Sequence, residues 1–210
     1  MRPVRVQRKY LVAVCVLAGA LLVWLDRTHP GGTRQVLPAV AGEQDTTSDA
    51  RRYHARAFKV VNIVDGDTLD IDASEGARTH TRIRLWGIDT PETRADDGVM
   101  FYGPEATQAA KDLADGRTVT IYLDIDNRSR DKYGRLLAYV QLPDGRFLNE
   151  VLLSEGFAYA DLRFAHSLNN RYKQLEGAAR SGRKGLWAEV SFEQLPDWLK
   201  ARKPDLLSKK

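Results

Sequence analysis

Between Phe58 and Leu142 the chain breaks into five short β-rich runs, and their spacing limits the available folds more than any other feature. Phe58–Val64 meets a turn signal at Asp65-Gly66, and Thr68–Ala73 then alternates apolar with polar residues, so the pair reads as a hairpin. Thr79–Leu85 alternates again, and Thr118–Asp124 and Leu136–Leu142 read as the fourth and fifth strands. Helical patterns interleave with them. Gly103-Pro104-Glu105 opens one helix, with Ala106, Ala109, Ala110 and Leu113 along one side. Asn149–Ser154 begins a second that stops at Gly156, and a third runs from about Asn170 to Ser181 with Tyr172, Leu175, Ala178 and Ala179 facing inward. Five short strands with helices after the third and fifth predict an α+β domain: a five-stranded barrel with about three helices. The OB-fold is the commonest such architecture, and its barrel face suits nucleic-acid strands.

The flanks read differently. Residues 1–9 hold Arg2, Arg5, Arg8 and Lys9 and no acid, and Tyr10–Leu25 follows without a charge. A basic segment followed by an apolar run is the pattern of an export signal or signal anchor. As a helix the run would be about 24 Å long, and snorkelling of Lys9 and Arg27 covers the shortfall against a ~30 Å hydrocarbon core. The chain therefore divides into a basic and hydrophobic transmembrane anchor (1–25), a Pro/Gly-rich linker (26–52), a barrel domain (53–190) and a basic tail (191–210). An uncleaved anchor puts the barrel on the extracytoplasmic side, by the positive-inside asymmetry. Cleavage at Ala39-Val40-Ala41 would release it as a secreted or periplasmic protein.

Composition narrows the chemistry. Charged residues make up 29% and hydrophobic residues 43%, which suits a folded body rather than a disordered chain. The net charge of +4 leaves a polyanionic partner open. Cys15 is the single cysteine, so no intrachain disulfide and no cysteine-based zinc site can form, and the four histidines lack HExxH-like spacing. A hard metal would have to be held by oxygen.

The polar residues that interrupt the strand patterns point to such a site. Asp67 follows the Asp65-Gly66 turn. The segment Ile83–Glu92 places Arg84 in a strand and then Asp89 and Glu92 three apart around Pro91. Asp131-Lys132-Tyr133-Gly134-Arg135 precedes the fifth strand. Taken singly, each has an ordinary explanation: Asp65, Asp67 and Asp70 as turn or solvated-strand residues, Arg84 as a surface strand residue, Thr90-Pro91 as turn chemistry. Trp86 and Trp187 read as core, and Asn149 and Glu150 as loop braces. Their joint occurrence carries the argument.

Val64-Asp65-Gly66-Asp67-Thr68, Arg82-Ile83-Arg84-Leu85 through Asp89-Thr90-Pro91-Glu92, Tyr102-Gly103-Pro104-Glu105-Ala106, Asp131 through Tyr139, and Leu148-Asn149-Glu150 together resemble the staphylococcal nuclease family, in its order and near its spacing, over residues 56–187. The resemblance implies a calcium-dependent phosphodiesterase acting on DNA and RNA and leaving 3′-phosphates. It implies Asp67, Asp89 and the Thr90 carbonyl as calcium ligands, and carboxylate and carbonyl oxygens are what that hard cation takes. Glu92 would orient or deprotonate the attacking water. Arg84 and Arg135 would stabilise the transition state, for which planar guanidinium groups offer paired, permanently charged donors. Lys132 and Tyr133 would hold a terminal phosphate. Leu162 and Phe164 stand where the family carries two tyrosines, and Phe164 can still stack on a base. Asp96 and Asp97 replace a lysine-rich stretch. The resemblance implies DNA and RNA as substrates, and no obligate protein partner is evident. The alternative reading is an inactive module of the same fold that binds nucleic acid or protein. Three carboxylates beside a phosphate would repel it, which favours catalysis.

Overall fold

The structure, a computed structural model, describes residues 46–93 and 98–207. Five strands close into a barrel: β1 (Arg56–Ile63), β2 (Thr68–Ile71), β3 (Thr81–Leu85), β5 (Thr118–Tyr122) and β6 (Leu136–Gln141), in the order β1-β2-β3-β6-β5. β5 pairs back onto β1, and every pair is antiparallel except β3 with β6. A parallel pair requires a long crossover. Residues 86–135 provide it, carrying β4 (Ile88–Asp89), α2 (Gly103–Ala114) and β5. Period-two alternation is clear in β3, where Thr81, Ile83 and Leu85 are buried while Arg82 is exposed and Arg84 half-buried. Ile83 and Leu85 join Val60, Leu69, Ile121, Leu136 and Val140 in the barrel core, which α3 (Leu148–Ser154) closes with Leu148 and Leu152. Each such side chain contributes about 1.5–3 kcal/mol of burial free energy.

The expected OB-type α+β barrel is present, but with five α-helices among the described residues rather than about three. The two extra helices lie in segments read as linker and tail. α1 (Thr46–Tyr53) has no apolar period to betray it, and long-range partners hold it. Tyr53 is fully buried with its hydroxyl 3.0 Å from Thr81 Oγ1. The Asp49 carboxylate accepts from Ser129 Oγ and from Arg130 Nε and Nη2 at 2.7–2.8 Å. At the other end, α5 (Asp197–Arg202) docks through buried Leu195 and Leu199 onto Leu186, Trp187 and Tyr159. The tail is therefore part of the folded body as far as Leu207.

Two further details concern the remaining helices. Asn149 is completely buried in α3; its Nδ2 donates to the Trp86 and Ala138 carbonyls and its Oδ1 accepts from Val140 N, so it braces the turn after β3 as expected. In α4 (Asn169–Ser181) Ala178 is exposed, not inward, and the buried position goes to Glu176. Glu176 is tolerated there because Ala160 N and Lys203 Nζ donate to its two oxygens. The hydrophobic run Tyr10–Leu25 lies outside the described residues, and among the described residues no helix is long and apolar enough to cross a membrane.

Asp49→Ala leaves the buried Arg130 guanidinium with the Glu75 carboxylate and the Gly134 carbonyl but without its bidentate partner. Breaking such a pair from one side should cost ~3 kcal/mol, and a chain of this size should then melt about 6–12 °C lower. An unchanged melting midpoint would put α1 outside the cooperative unit.

Candidate active site

Two tight turns build the floor of the site. Between β1 and β2, Val64 N and Asp65 N both donate to the Thr68 carbonyl, and Asp65 Oδ1 accepts from Asp67 N at 3.1 Å. Gly66 lets this turn lie directly on the turn after β4, since a Cβ there would stand 2.7 Å from Thr90 Oγ1. The contact is used chemically. Thr90 N and Thr90 Oγ1 both donate to Asp67 Oδ2, at 2.9 and 3.2 Å, and Thr68 Oγ1 donates to Asp67 Oδ1.

Arg84 projects from β3 between the two turns. Its Nη1 lies 3.0 Å from Asp67 Oδ2 and its Nη2 2.7 Å from Asp89 Oδ1, while Nη1 also donates to the Leu85 and Ile88 carbonyls. Asp89 is placed by the two-stranded pairing of β4 with β7 (Tyr159–Ala160). That pairing also sets Asp161, whose N–H donates to the Gly87 carbonyl. Asp161 takes two donors of the Arg163 guanidinium, which reaches Asp89 Oδ1 at 3.2 Å. Trp198 Nε1 donates to the other oxygen, Asp89 Oδ2, at 2.8 Å.

Glu92 stands exposed at the cleft edge on an anchored backbone. Met100 N donates to its carbonyl, and Gly103, the first residue of α2, approaches so closely that a Cβ would come within 2.7 Å of that oxygen. The opposite wall comes from the loop before β6. Asp131 Oδ2 holds Arg135 Nε at 2.7 Å, and Arg135 Nη1 is 3.5 Å from Thr68 Oγ1. Lys132 Nζ lies 4.9 Å from the centre of the Tyr133 ring, itself 67% exposed. Phe164 forms part of the rim, half exposed, with the Arg128 guanidinium 4.9 Å from its ring centre.

These groups enclose a cleft of about 660 Å³. Asp67, Arg84, Asp89, Glu92, Lys132, Tyr133, Arg135 and Phe164 all line it. Thr90 is not among them; it is buried behind Asp67, to which its N–H and hydroxyl both donate. Sequence reasoning read Asp65 as a turn residue and gave no site role to Arg128, Asp161, Arg163 or Trp198. Asp65 flanks Gly66 as Asp67 does, a symmetry that offered a clue. Trp198 carries no local signal. Asp96 and Asp97 lie outside the described residues.

The electrostatics of the cleft favour a cation. Burial, then the Asp67 charge, push the Asp65 carboxyl up to about 6. Burial raises Asp89 as well, and Asp67 and Asp161 add to the rise against the opposing pull of Arg84 and Arg163. Glu92 is raised by desolvation and then by Asp67, Asp65 and Asp89. Burial works to lower the Arg84 pKa, but Asp67 and Asp89 outweigh it and the group is raised. Carboxylates that oppose one another's ionisation around one cleft suit a hard, oxygen-seeking cation. Among the described residues no three acidic, histidine or cysteine side chains form a ready-made cage. A cation here would rest on a carboxylate pair, with further positions left for main-chain oxygen, water or substrate.

The sequence matches the family model described as "Staphylococcal nuclease homologue" over residues 82–189. The chain belongs to the staphylococcal nuclease family. It is accordingly a nuclease, a hydrolase of phosphodiester bonds. An "Uncharacterized endonuclease" of Escherichia coli is 34% identical over 142 residues, 67% of this chain and 82% of the relative. The "Thermonuclease" of Staphylococcus hyicus is 35% identical over 135 residues, covering 63% of this chain and 76% of that protein. "Endonuclease YncB" of Bacillus subtilis (strain 168) is 33% identical over 180 residues, 80% of this chain and 82% of the relative. Within the family match lie Arg84, Asp89, Thr90, Glu92, Lys132, Tyr133, Arg135 and Phe164, whereas Asp67 precedes it and Trp198 follows it.

The raised Asp65 carboxyl has a consequence that a titration can read. Its folded value of about 6 lies above the usual 3.8, so in chelator this residue's share of stability is present at low pH and is lost as pH rises from about 4 to about 6. Asp65→Asn keeps an oxygen to accept from Asp67 N. It should melt several degrees above wild type at pH 7 in chelator and level with it near pH 4. Equal midpoints at both pH values would show that Asp65 carries no such strain.

Proposed function

We propose that this nuclease works with calcium, cuts DNA and RNA within the chain, and leaves a 3′-phosphate and a 5′-hydroxyl. The observation that supports this most is the convergence of Asp67, Arg84, Asp89, Glu92 and Arg135 on one cleft. In this reading Asp67 and Asp89 hold the cation with the Thr90 carbonyl as a further ligand. Bound there, calcium supplies Lewis-acid stabilisation of the phosphate and lowers the pKa of water. Glu92, exposed on its anchored turn, orients that water and accepts its proton. Water oxygen bonds to phosphorus as the P–O5′ bond breaks on the opposite side, and the departing O5′ takes up a proton from solvent while Glu92 returns its own to solvent. Arg84 and Arg135 meet the charge that builds on the equatorial oxygens. Neither guanidinium gives up a proton readily, so their part is electrostatic. Lys132 and Tyr133 contact a terminal phosphate, and Phe164 stacks on a base for ~1–3 kcal/mol.

A module that only binds nucleic acid has no use for the acid excess of this cleft, because each carboxylate repels the phosphate it must hold. We also propose that the barrel works outside the cytoplasm, held at the membrane by Tyr10–Leu25, on the strength of the basic and apolar pattern of residues 1–25.

Incubation with single-stranded DNA and calcium should yield fragments ending in 3′-phosphate, and chelator should stop their formation; cleavage that persists in chelator would remove calcium from the mechanism. Arg84→Lys or Arg135→Lys should lower turnover by roughly 10²-fold, since a point charge cannot replace a fork. Wild-type turnover in either variant would take that arginine out of the chemistry.

A further inference from the structure

The floor of the cleft is completed from a distance. Asp89 has two oxygens, and protein donors reach both. Oδ1 faces the guanidinium groups of Arg84 and Arg163. Oδ2 accepts from the indole of Trp198, 109 residues further along the chain. The donor is no frayed end. α5 is pinned by buried Leu195 and Leu199, by the hydrogen bond of Arg202 to the Leu162 carbonyl, and by the ion pair of Lys203 with buried Glu176. The Arg163 guanidinium covers the indole face at 4.5 Å, a cation–π contact that helps hold the ring beside Asp89.

We propose that Trp198 is a positioning residue of the active site, its indole N–H holding the Asp89 carboxylate in the orientation that binds the cation. This rests on the assignment of Asp89 as a calcium ligand. The choice of donor fits the task. A carboxylate oxygen has two lone pairs, so one N–H leaves the other pair open. An indole is neutral, so it orients Asp89 without cancelling the charge that attracts a dication, as an additional lysine or arginine would. Hydrogen-bond partners of metal ligands commonly set affinity, and their loss costs about 10–100-fold. Trp198 lies beyond the stretch 82–189 that matches the family model, so this part of the site comes from a segment the family match does not contain.

Trp198→Phe deletes the N–H and keeps a ring for Arg163 to cover. Calcium titrated calorimetrically into the full chain should bind the variant at least about 10-fold more weakly than wild type. The melting midpoint in chelator should stay within about 5 °C of wild type. Activity lost at limiting calcium should return at saturating calcium. The change in tryptophan emission on adding calcium to wild type should shrink in the variant. Asp89→Asn serves as the reference and should abolish binding. If wild type and Asp89→Asn bind calcium alike, the ligand assignment falls and this proposal with it. If Asp89→Asn loses binding while Trp198→Phe matches wild type, only the role of Trp198 falls. An affinity loss seen only with a metal-free midpoint lowered by more than about 5 °C would make the residue merely structural and overturn the proposal as well.

Discussion

The guanidinium of Arg84 is the interaction on which the site depends. It sits almost out of solvent between two carboxylates that would otherwise repel each other. Removing either acid would leave a buried charge half-matched, and removing the arginine would leave two carboxylates facing one another across the floor; both are expensive in a medium of low polarity. The three residues come from different places: a hairpin turn, a barrel strand and a two-residue strand outside the barrel. The backbone must bring these within hydrogen-bonding reach, and the packing of Gly66 on Thr90 is the means. The geometry of the cleft floor is thus a consequence of charge pairing as much as of barrel closure.

Above that floor the character changes. Asp67 and Asp89 are held by several donors each, whereas Tyr133, Lys132, Phe164 and Glu92 are exposed along the edges. Held groups set up the chemistry in advance and need little rearrangement when substrate arrives. Exposed rings and a long ammonium side chain are free to shift against what enters the cleft. Phe164 belongs to this adaptable layer, so a change of ring there would leave the held one intact.

What could be read from the sequence follows the range of the forces involved. Strand alternation is local, and it exposed the barrel and placed Arg84 on the outward side of β3. Acids that interrupt those patterns were visible as interruptions. By contrast α1 and α5 were invisible, because TTSDARRY and DWLKAR owe their helical state to partners far along the chain: Arg130 and Thr81 for the first, Trp187 and Glu176 for the neighbourhood of the second. The exposed Ala178 and buried Glu176 err for the same reason. Hydrophobicity assigned the faces of α4, and the main-chain N–H of Ala160 together with Lys203, both donating to Glu176, reversed that assignment. Trp198 is the extreme case, a residue whose role exists only once the chain has folded.

The separation of Asp89 from Trp198 also orders events in time. A ribosome adds roughly 5–20 residues per second, so the indole follows its carboxylate partner by about 5–20 s. Through that interval the growing polypeptide has Arg84 and Asp89 but no finished wall beside them. The wall that carries the indole is therefore made well after the carboxylate it steadies.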